Sequence, residues 1–530
     1  MLKIEANNNG YVEIEESGYG MLAETGGTAT NNGTIKYDST KSGNCGNANG
    51  QGSCEDISKE VEEEVKPTPG TASVDASDIV NISTGASFVN NGVFSLRGLD
   101  VNFDEMRDET SKYIVAENGK YEADTLKGEV WIGKDVVMNG FEDTYQKDEA
   151  FVGKNEGLVV GSQSYMFNAQ SNTTDDVTDV ELNRKKFEDL VEDKKVAEFL
   201  EINYGLHNNE KMFNALKSAE TKEEFDTTKE SETGEKFYAN LPRENMAVLR
   251  GLNNQEQNRI LNDGIIGTVV GADYYRTGKD GTDKLSGFDT DVYSAYIGYG
   301  EKINKNWSMG GTLKASYVDS SYNEAMSSRD NKVLMAFMPI LYQNNNVKFL
   351  TMPSLGVGLG EYSRQAVSGK YDADTFELYY GLYNHAEYSI DVKVAELVTE
   401  AELNLQGVSM SSAKEDDGLK LKSNNSTSLE AGVGMKLRKH IKLAKERSLM
   451  LSLGTKYYHE FLDPYKRLSI GMNGSPVDMH QDGYDESKRR LRTSAEAIYK
   501  DGDFAVSAEI AHNAEEESSI EGGLGVRYNF

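Results

Sequence analysis

The chain has 530 residues, with 56 Lys or Arg against 87 Asp or Glu and a formal net charge of −31. That balance argues against a nucleic-acid partner, because phosphate binding needs a basic surface. No run of ~18 apolar residues occurs, so no membrane-spanning helix is expected. The mean hydropathy of −0.59 reads as soluble, but a membrane β-barrel needs only alternate residues apolar over segments of ~10. The length leaves room for two or three domains.

The opening MLKIEANNNG lacks a charged segment followed by an apolar one, so no signal peptide is visible. The expectation is either a cytosolic protein or the C-terminal portion of a larger precursor. Up to about residue 180 the texture is rich in Gly, Asn and Thr. GGTATNNGTIKY (26–37) and STGASFVNNGVFSLRG (83–98) share an Asn-Asn-Gly turn followed by alternation, Thr34/Ile35 in one and Val93/Phe94 in the other. Short strands with Asn-Gly corners are what a parallel β-helix coil requires, since both residues tolerate a left-handed corner; ordinary hairpins are the plainer reading. Cys45 and Cys54 lie in a Gly/Asn-rich loop and could close a small disulfide in an oxidising compartment. A metal site there is weaker, because no His is near. EDISKEVEEEVKPTPG (55–70) is acidic, ends in two prolines and reads as an insert or linker.

From about 181 to 262 the period changes. In ELNRKKFEDLVEDKKVAEFL, Phe187, Leu190, Val191, Val196, Phe199 and Leu200 recur at helical spacing, and 181–243 is predicted to be a helical linker. A last helix, 244–262, starts after Pro242 and is polar around much of its circumference, with Gly251, Asn253 and Asn254 as poor helix formers. Such a helix is not stable as a lone surface element but makes sense inside a polar tunnel.

From Gly264 to Phe530 the chain reads as twelve alternating segments. In one, Trp307, Met309, Gly311, Leu313, Ala315 and Tyr317 share a face opposite Ser308, Gly310, Thr312, Lys314 and Ser316. In the last, Ile520, Gly522, Leu524, Val526, Tyr528 and Phe530 oppose Glu521, Gly523, Gly525, Arg527 and Asn529. Twelve strands of ~10 residues are too long and regular for a soluble sandwich, whose strands average five or six. Tyr274, Tyr275, Tyr293, Trp307, Tyr317, Tyr342, Tyr362, Tyr457, Tyr458, Tyr499 and Tyr528 fall at strand ends, as interface girdles require. The opposite faces carry Lys314, Glu396, Glu400, Glu402, Glu430, Lys436, Arg492, Glu496 and Arg527. Unpaired between sheets these charges would be ruinous, so they are predicted to line an aqueous lumen. The fold class is therefore mainly all-β: a twelve-stranded antiparallel transmembrane barrel with a helix in its pore, preceded by a helical linker and a β-helix or β-solenoid fragment.

A C-terminal barrel ending in YNF, preceded by a polar helix and β-helical coils, resembles the type V autotransporters. The resemblance covers roughly 244–530. It implies that Val526, Tyr528 and Phe530 form the strand read by the barrel-assembly machinery, that 244–262 occupies the pore, and that a passenger crosses the outer membrane and folds outside. The implied domains are 1–180 (passenger end), 181–243 (linker), 244–262 (pore helix) and 263–530 (barrel). The implied partners are outer-membrane lipids, the assembly machinery and a host or bacterial surface receptor. Some relatives release the passenger by asparagine cyclisation in the pore helix, and the pair Asn253-Asn254 stands in the corresponding element; the surrounding residues do not match the self-cleaving pattern.

Three functions are open. The first is a translocator carrying the stem of a surface adhesin, and the alternative is a translocator whose catalytic passenger, a protease or esterase, lies elsewhere. A plain diffusion porin ranks last, since a resident helix would block it. No G-x-S-x-G elbow or H-E-x-x-H occurs, and the six histidines (207, 385, 440, 459, 480 and 512) are scattered, so no catalytic residue, cofactor or metal site is expected. The acidic runs at 60–65 and 513–519 read as solvated loops.

Overall fold

The computed structural model describes residues 5–8, 11–13, 21–23, 28–38, 80–281, 285–323, 326–465, 468–481, 488–515 and 518–530. Cys45, Cys54 and the acidic stretch 55–70 lie outside them. The chain divides into two compact units, residues 1–190 with 216–225, and residues 191–215 with 226–530. The boundary therefore differs from a simple cut at 180. The strand Val177–Arg184 runs into the segment expected to be helical, and 216–225 packs with the N-terminal unit although it lies in the middle of that segment.

In the N-terminal unit, strands stack in parallel. One ladder joins Glu5–Asn8, Thr28–Asn31, Ser87–Asn90 and Lys112–Val115. A second joins Tyr11–Glu13, Thr34–Asp38, Val93–Asn102, Lys120–Ile132 and Thr144–Ser162. The two Asn-Asn-Gly turns stack, with Thr34 opposite Val93 and Thr28 opposite Ser87. Asn31 Nδ2 donates to Asn90 Oδ1 at 2.9 Å, and Asn90 Nδ2 to the Lys120 carbonyl at 3.0 Å, so buried amides are satisfied one layer to the next. Glycine is needed there for close approach and not for a left-handed backbone: a Cβ on Gly92 would collide with the Gly33 carbonyl, and one on Gly119 with that of Asn90. In the core Phe94 meets Tyr121 edge to face at 5.6 Å, and Tyr121 stacks on Phe151 at 5.9 Å. The antiparallel strands Phe167–Thr174 and Val177–Arg184 close the last layer.

Six helices follow: α1 (Phe187–Leu190), α2 (Lys194–Gly205), α3 (Glu210–Ser218), α4 (Lys222–Thr233), α5 (Glu235–Tyr238) and α6 (Asn240–Asp263). Asp193 caps α2 by accepting from the Lys195 and Val196 amides. The α6 helix begins at Asn240 rather than 244. Pro242 falls in its first turn, where a missing N–H costs no hydrogen bond. Among the described residues no helix is long and apolar enough to cross a membrane.

The C-terminal unit is a closed antiparallel barrel of twelve strands. They are β1 (Gly267–Lys279), β2 (Phe288–Lys302), β3 (Trp307–Tyr322), β4 (Ser327–Phe337, resuming at Ile340–Asn344), β5 (Val347–Ala366) and β6 (Gly369–Asp391). The series continues with β7 (Glu396–Met410), β8 (Asn424–Lys442), β9 (Arg447–Glu460), β10 (Arg489–Asp501), β11 (Phe504–Ala514) and β12 (Ser519–Asn529). Pro339 interrupts β4, because it cannot donate to the ladder. The barrel closes where β1 pairs with β12, from Val269 opposite Asn529 to Thr277 opposite Glu521.

Alternation sorts the wall. Tyr293, Leu313, Val433, Met435, Leu437, Leu524 and Phe530 are exposed outside, while Lys314, Glu400, Glu402, Glu430, Arg492 and Arg527 are buried inside. Tight turns at 303–306, 392–395, 443–446 and 502–503 mark one end. The two longest connections, 411–423 and 461–488, lie at the other and carry a small sheet of Ala413–Lys414, Leu419–Leu421, Leu468–Met472 and Met479–Gln481.

Candidate functional site: the helix-filled pore

The α6 helix runs down the barrel from the long-loop end to the tight-turn end. Asn240 Nδ2 donates to the Ser286 carbonyl in the β1–β2 loop at 2.7 Å, and Asp263 meets Lys500 of β10 at 2.6 Å and Arg527 of β12. Between these ends each turn of the helix bonds the wall. Glu244 accepts from Ser320 at 2.8 Å and from Arg329 at 3.1 Å. Arg250 pairs with Glu430 at 3.0 Å. Asn258 donates to Glu509 and Asn262 to Glu496, both at 3.1 Å. This explains the polar circumference of α6: these partners are inward residues of six strands, β3, β4, β8, β10, β11 and β12. Gly251 has a positional reason as well, since a Cβ there would strike the Tyr275 ring packed against the helix.

All nine charges expected on the inner wall are there, but most are paired inside a filled barrel and do not line open water. Lys314 meets Asp273 at 2.8 Å. Glu400 and Lys436 stand 2.6 Å apart, and Glu402 meets Lys456 at 2.7 Å. Glu430 takes both Arg250 and Arg490. Arg492 bridges Glu509 and Glu521. Glu496 accepts from Asn262 and from Ser452, and Glu396 is partly exposed at the tight-turn end, 3.7 Å from Arg438. Burying charge is tolerated only with this pairing.

The aromatic girdle needs a correction. Tyr293, Trp307, Tyr317, Tyr457 and Tyr528 do face outward, whereas Tyr275, Tyr362 and Tyr458 are buried inside. Neighbouring residues in a strand point to opposite faces, so in Tyr274-Tyr275 and Tyr457-Tyr458 only one ring of each pair can reach lipid. Tyr362 packs on Phe237 at 5.2 Å and Tyr238 at 6.2 Å.

Several inner residues escaped the sequence reading. Arg329, fully buried, joins Glu244 and Asn245 of α6 to Glu377 of β6 at 3.1, 2.8 and 2.7 Å. Nothing in SSRDNKVLMAF marks it, because the same inward face continues as Val333, Met335 and Phe337. Arg364, at the long-loop end of β5, binds Glu415 and Asp417 of the 411–423 connection and the Ser231 carbonyl of α4. Burial and the neighbouring Glu415 push the Asp417 carboxyl up to about 6, against the pull of Arg364. Burial also raises Glu232, which accepts from the Ser368 amide and hydroxyl. These groups fasten the helices preceding α6 to the loops over the pore.

At the pair Asn253-Asn254, Asn253 is fully buried and Asn254 partly so. Asn253 Nδ2 donates to the Leu249 carbonyl one turn back at 2.7 Å and to the Tyr383 hydroxyl. Val526, Tyr528 and Phe530 lie on the outer face of β12, and the Tyr528 and Phe530 rings meet edge to face at 4.8 Å.

Residues 269–505 match the family model of the autotransporter beta-domain. No curated protein is detectably similar in sequence. Among solved structures, the chain is similar to the translocator domain of the autotransporter NalP from Neisseria meningitidis, at 15% identity over 54% of this chain and 98% of that one, with a TM-score of 0.42. It is also similar to the beta domain of the Bordetella autotransporter BrkA, at 16% identity over 50% and 100%, TM-score 0.39. A third likeness is to the transport unit of AIDA-I from Escherichia coli, at 12% identity over 51% and 92%, TM-score 0.34. The family-model match and the closed twelve-stranded barrel identify the C-terminal part of this chain as an autotransporter β-domain, a translocator of the outer membrane.

Proposed function

We propose that the barrel carries the chain preceding α6 across the outer membrane and then holds it at the cell surface, and that this passenger is the stem of an adhesin. The observation that carries the reading is the direction of α6. Its N-terminal end emerges at the end of the barrel with the long connections, which in outer-membrane barrels is the extracellular one, the tight turns being periplasmic. The stacked parallel strands at 28–38 and 80–162 support a β-helical stem, whose repetitive faces suit binding to a surface receptor. The exposed Phe530 and the outward Tyr528 and Val526 suit recognition of β12 by the assembly machinery. The Asn253 amide is held toward the preceding helical turn, away from the pose needed to attack its own carbonyl, which supports a passenger that stays attached.

The hairpin tip at Asp175 and Asp176, both exposed with positive φ, offers a test. An epitope inserted between them is expected to bind antibody on intact cells, on a chain of undivided length. Labelling only after the outer membrane is permeabilised would refute surface display, and a fragment starting at Asn254 would refute attachment.

A further inference from the structure

One cluster in the pore leaves a buried ligand atom unserved. His385 of β6 lies with Nδ1 2.9 Å from Glu402 Oε1. An ionised carboxylate only accepts, so Nδ1 carries the ring proton. The Gln257 side-chain nitrogen of α6 lies 2.7 Å from Nδ1 and donates to the same Glu402 oxygen at 3.3 Å. Glu402 is itself fixed by Lys456 at 2.7 Å and the Tyr458 hydroxyl at 2.9 Å. The other ring nitrogen, Nε2, is buried and makes no hydrogen bond. It faces Glu387 Oε1 at 3.4 Å and Glu400 Oε1 at 3.6 Å. A lone pair and two carboxylates turned on one another away from water require a positive charge among them.

Lys436 Nζ stands 2.6 Å from both carboxylate oxygens, with Arg438 3.2 Å from Glu387 and Lys456 3.6 Å from Glu400; these cations serve the carboxylates, but Nε2 still makes no hydrogen bond. The spacing fits something smaller. With metal–ligand bonds of about 2.0–2.2 Å, the donor atoms of a tetrahedral site stand about 3.3–3.6 Å apart, as Nε2 does from each of the two carboxylate oxygens. A histidine whose second nitrogen donates to a carboxylate is also the arrangement that fixes the tautomer of a metal-bound imidazole.

We propose that His385 Nε2, Glu387 and Glu400 form a binding site for a divalent transition-metal ion such as Zn²⁺, with Glu402 orienting the imidazole and Lys436 as the cation the metal displaces. One imidazole and two carboxylates are a donor set such ions accept, leaving a position open for water. The Lys436 side chain is partly exposed and swings toward the tight-turn end when the ion enters. Gln257 ties the site to α6, so the ion fastens wall and pore helix together.

The test uses the full chain in detergent, stripped with chelator, in a Cys45→Ser, Cys54→Ser background that removes competing thiols, with Co²⁺ alone as probe. One Co²⁺ per chain is expected, with the visible spectrum of a low-coordinate site, displaced by Zn²⁺. His385→Gln removes the ligand nitrogen and abolishes binding, Glu402→Gln weakens it by about 10–100-fold, and Lys436→Met tightens it. Retention of the heat-sensitive compact band on electrophoresis shows that each variant is folded; if His385→Gln is not, Glu400→Gln replaces it. Binding unchanged in the folded ligand variant overturns the proposal, as does absence of binding in both the parent and Lys436→Met.

Discussion

Arg329 has no exposed side-chain surface and is held by Glu244 of α6 and Glu377 of β6. Replacing it strands two buried carboxylates, and removing one partner of a buried pair costs about 3–5 kcal/mol. Arg329→Met is therefore expected to lower the temperature at which the compact band is lost on electrophoresis. Adding Glu244→Gln neutralises one stranded carboxylate and is expected to recover part of the loss. An unchanged transition in Arg329→Met would mean that water serves these groups in place of the guanidinium. At this scale the sequence was partly legible. Lys314, Glu430 and Arg492 stand out as charges alternating with apolar residues in their strands, and they do lie inside. Their partners come from strands distant in sequence or from α6, which is why Arg329, His385 and Asp263 carried no local mark. Tyr275, Tyr362 and Tyr458 lie inside for a related reason: position near a strand end does not tell which face a ring is on.

Among elements, the barrel strands were legible because apolar residues recur at every second position, and the pore helix because a helix polar around its circumference makes sense only inside a polar tunnel. Its start was not, since Pro242 breaks a helix interior but is tolerated in a first turn. The helical segment ahead of it has the pattern of one linker, but its middle, 216–225, belongs with the N-terminal unit. There Glu220 is gripped by Lys112 at 2.9 Å, Lys134 at 3.2 Å and Gln163 at 2.8 Å. Burial opposes its ionisation, but the two lysines prevail and hold its carboxyl below the usual range. A lowered carboxyl contributes stability above its unfolded value, and that contribution is lost as pH falls through the folded one. Asp417 behaves oppositely. With its carboxyl at about 6, against ~3.9 for an unfolded chain, the folded loop takes up a proton first. Anchoring of 411–423 therefore strengthens as pH falls from 7 through 6 and levels off near ~4. Limited proteolysis across this range is expected to show the 411–423 loop becoming more resistant as the medium turns mildly acidic. In Asp417→Asn the dependence is expected to flatten; a variant that keeps the parent's slope would assign it to another group, Glu232 being the nearest candidate.

For the whole molecule, the mean hydropathy points to a soluble protein, and alternation corrects it. Apolar residues are placed on every second position of twelve strands that join edge to edge, so a chain with 87 acidic residues still presents an apolar outer band. The charges collect inside, against a helix polar enough to meet them. Translocation depends on that sorting, because α6 can thread the wall only if the wall's inner face bonds it and its outer face belongs to lipid. A spin label stepped singly through 429–437 of β8 in proteoliposomes reads both faces at once, through collisions with oxygen dissolved in lipid and with a water-soluble nickel complex. Labels at the outward Val433, Met435 and Leu437 are expected to favour oxygen, while those at 432, 434 and 436 are shielded from both by α6 and the inner wall. High nickel accessibility at every position, without alternation, would contradict the lipid-facing, helix-filled barrel.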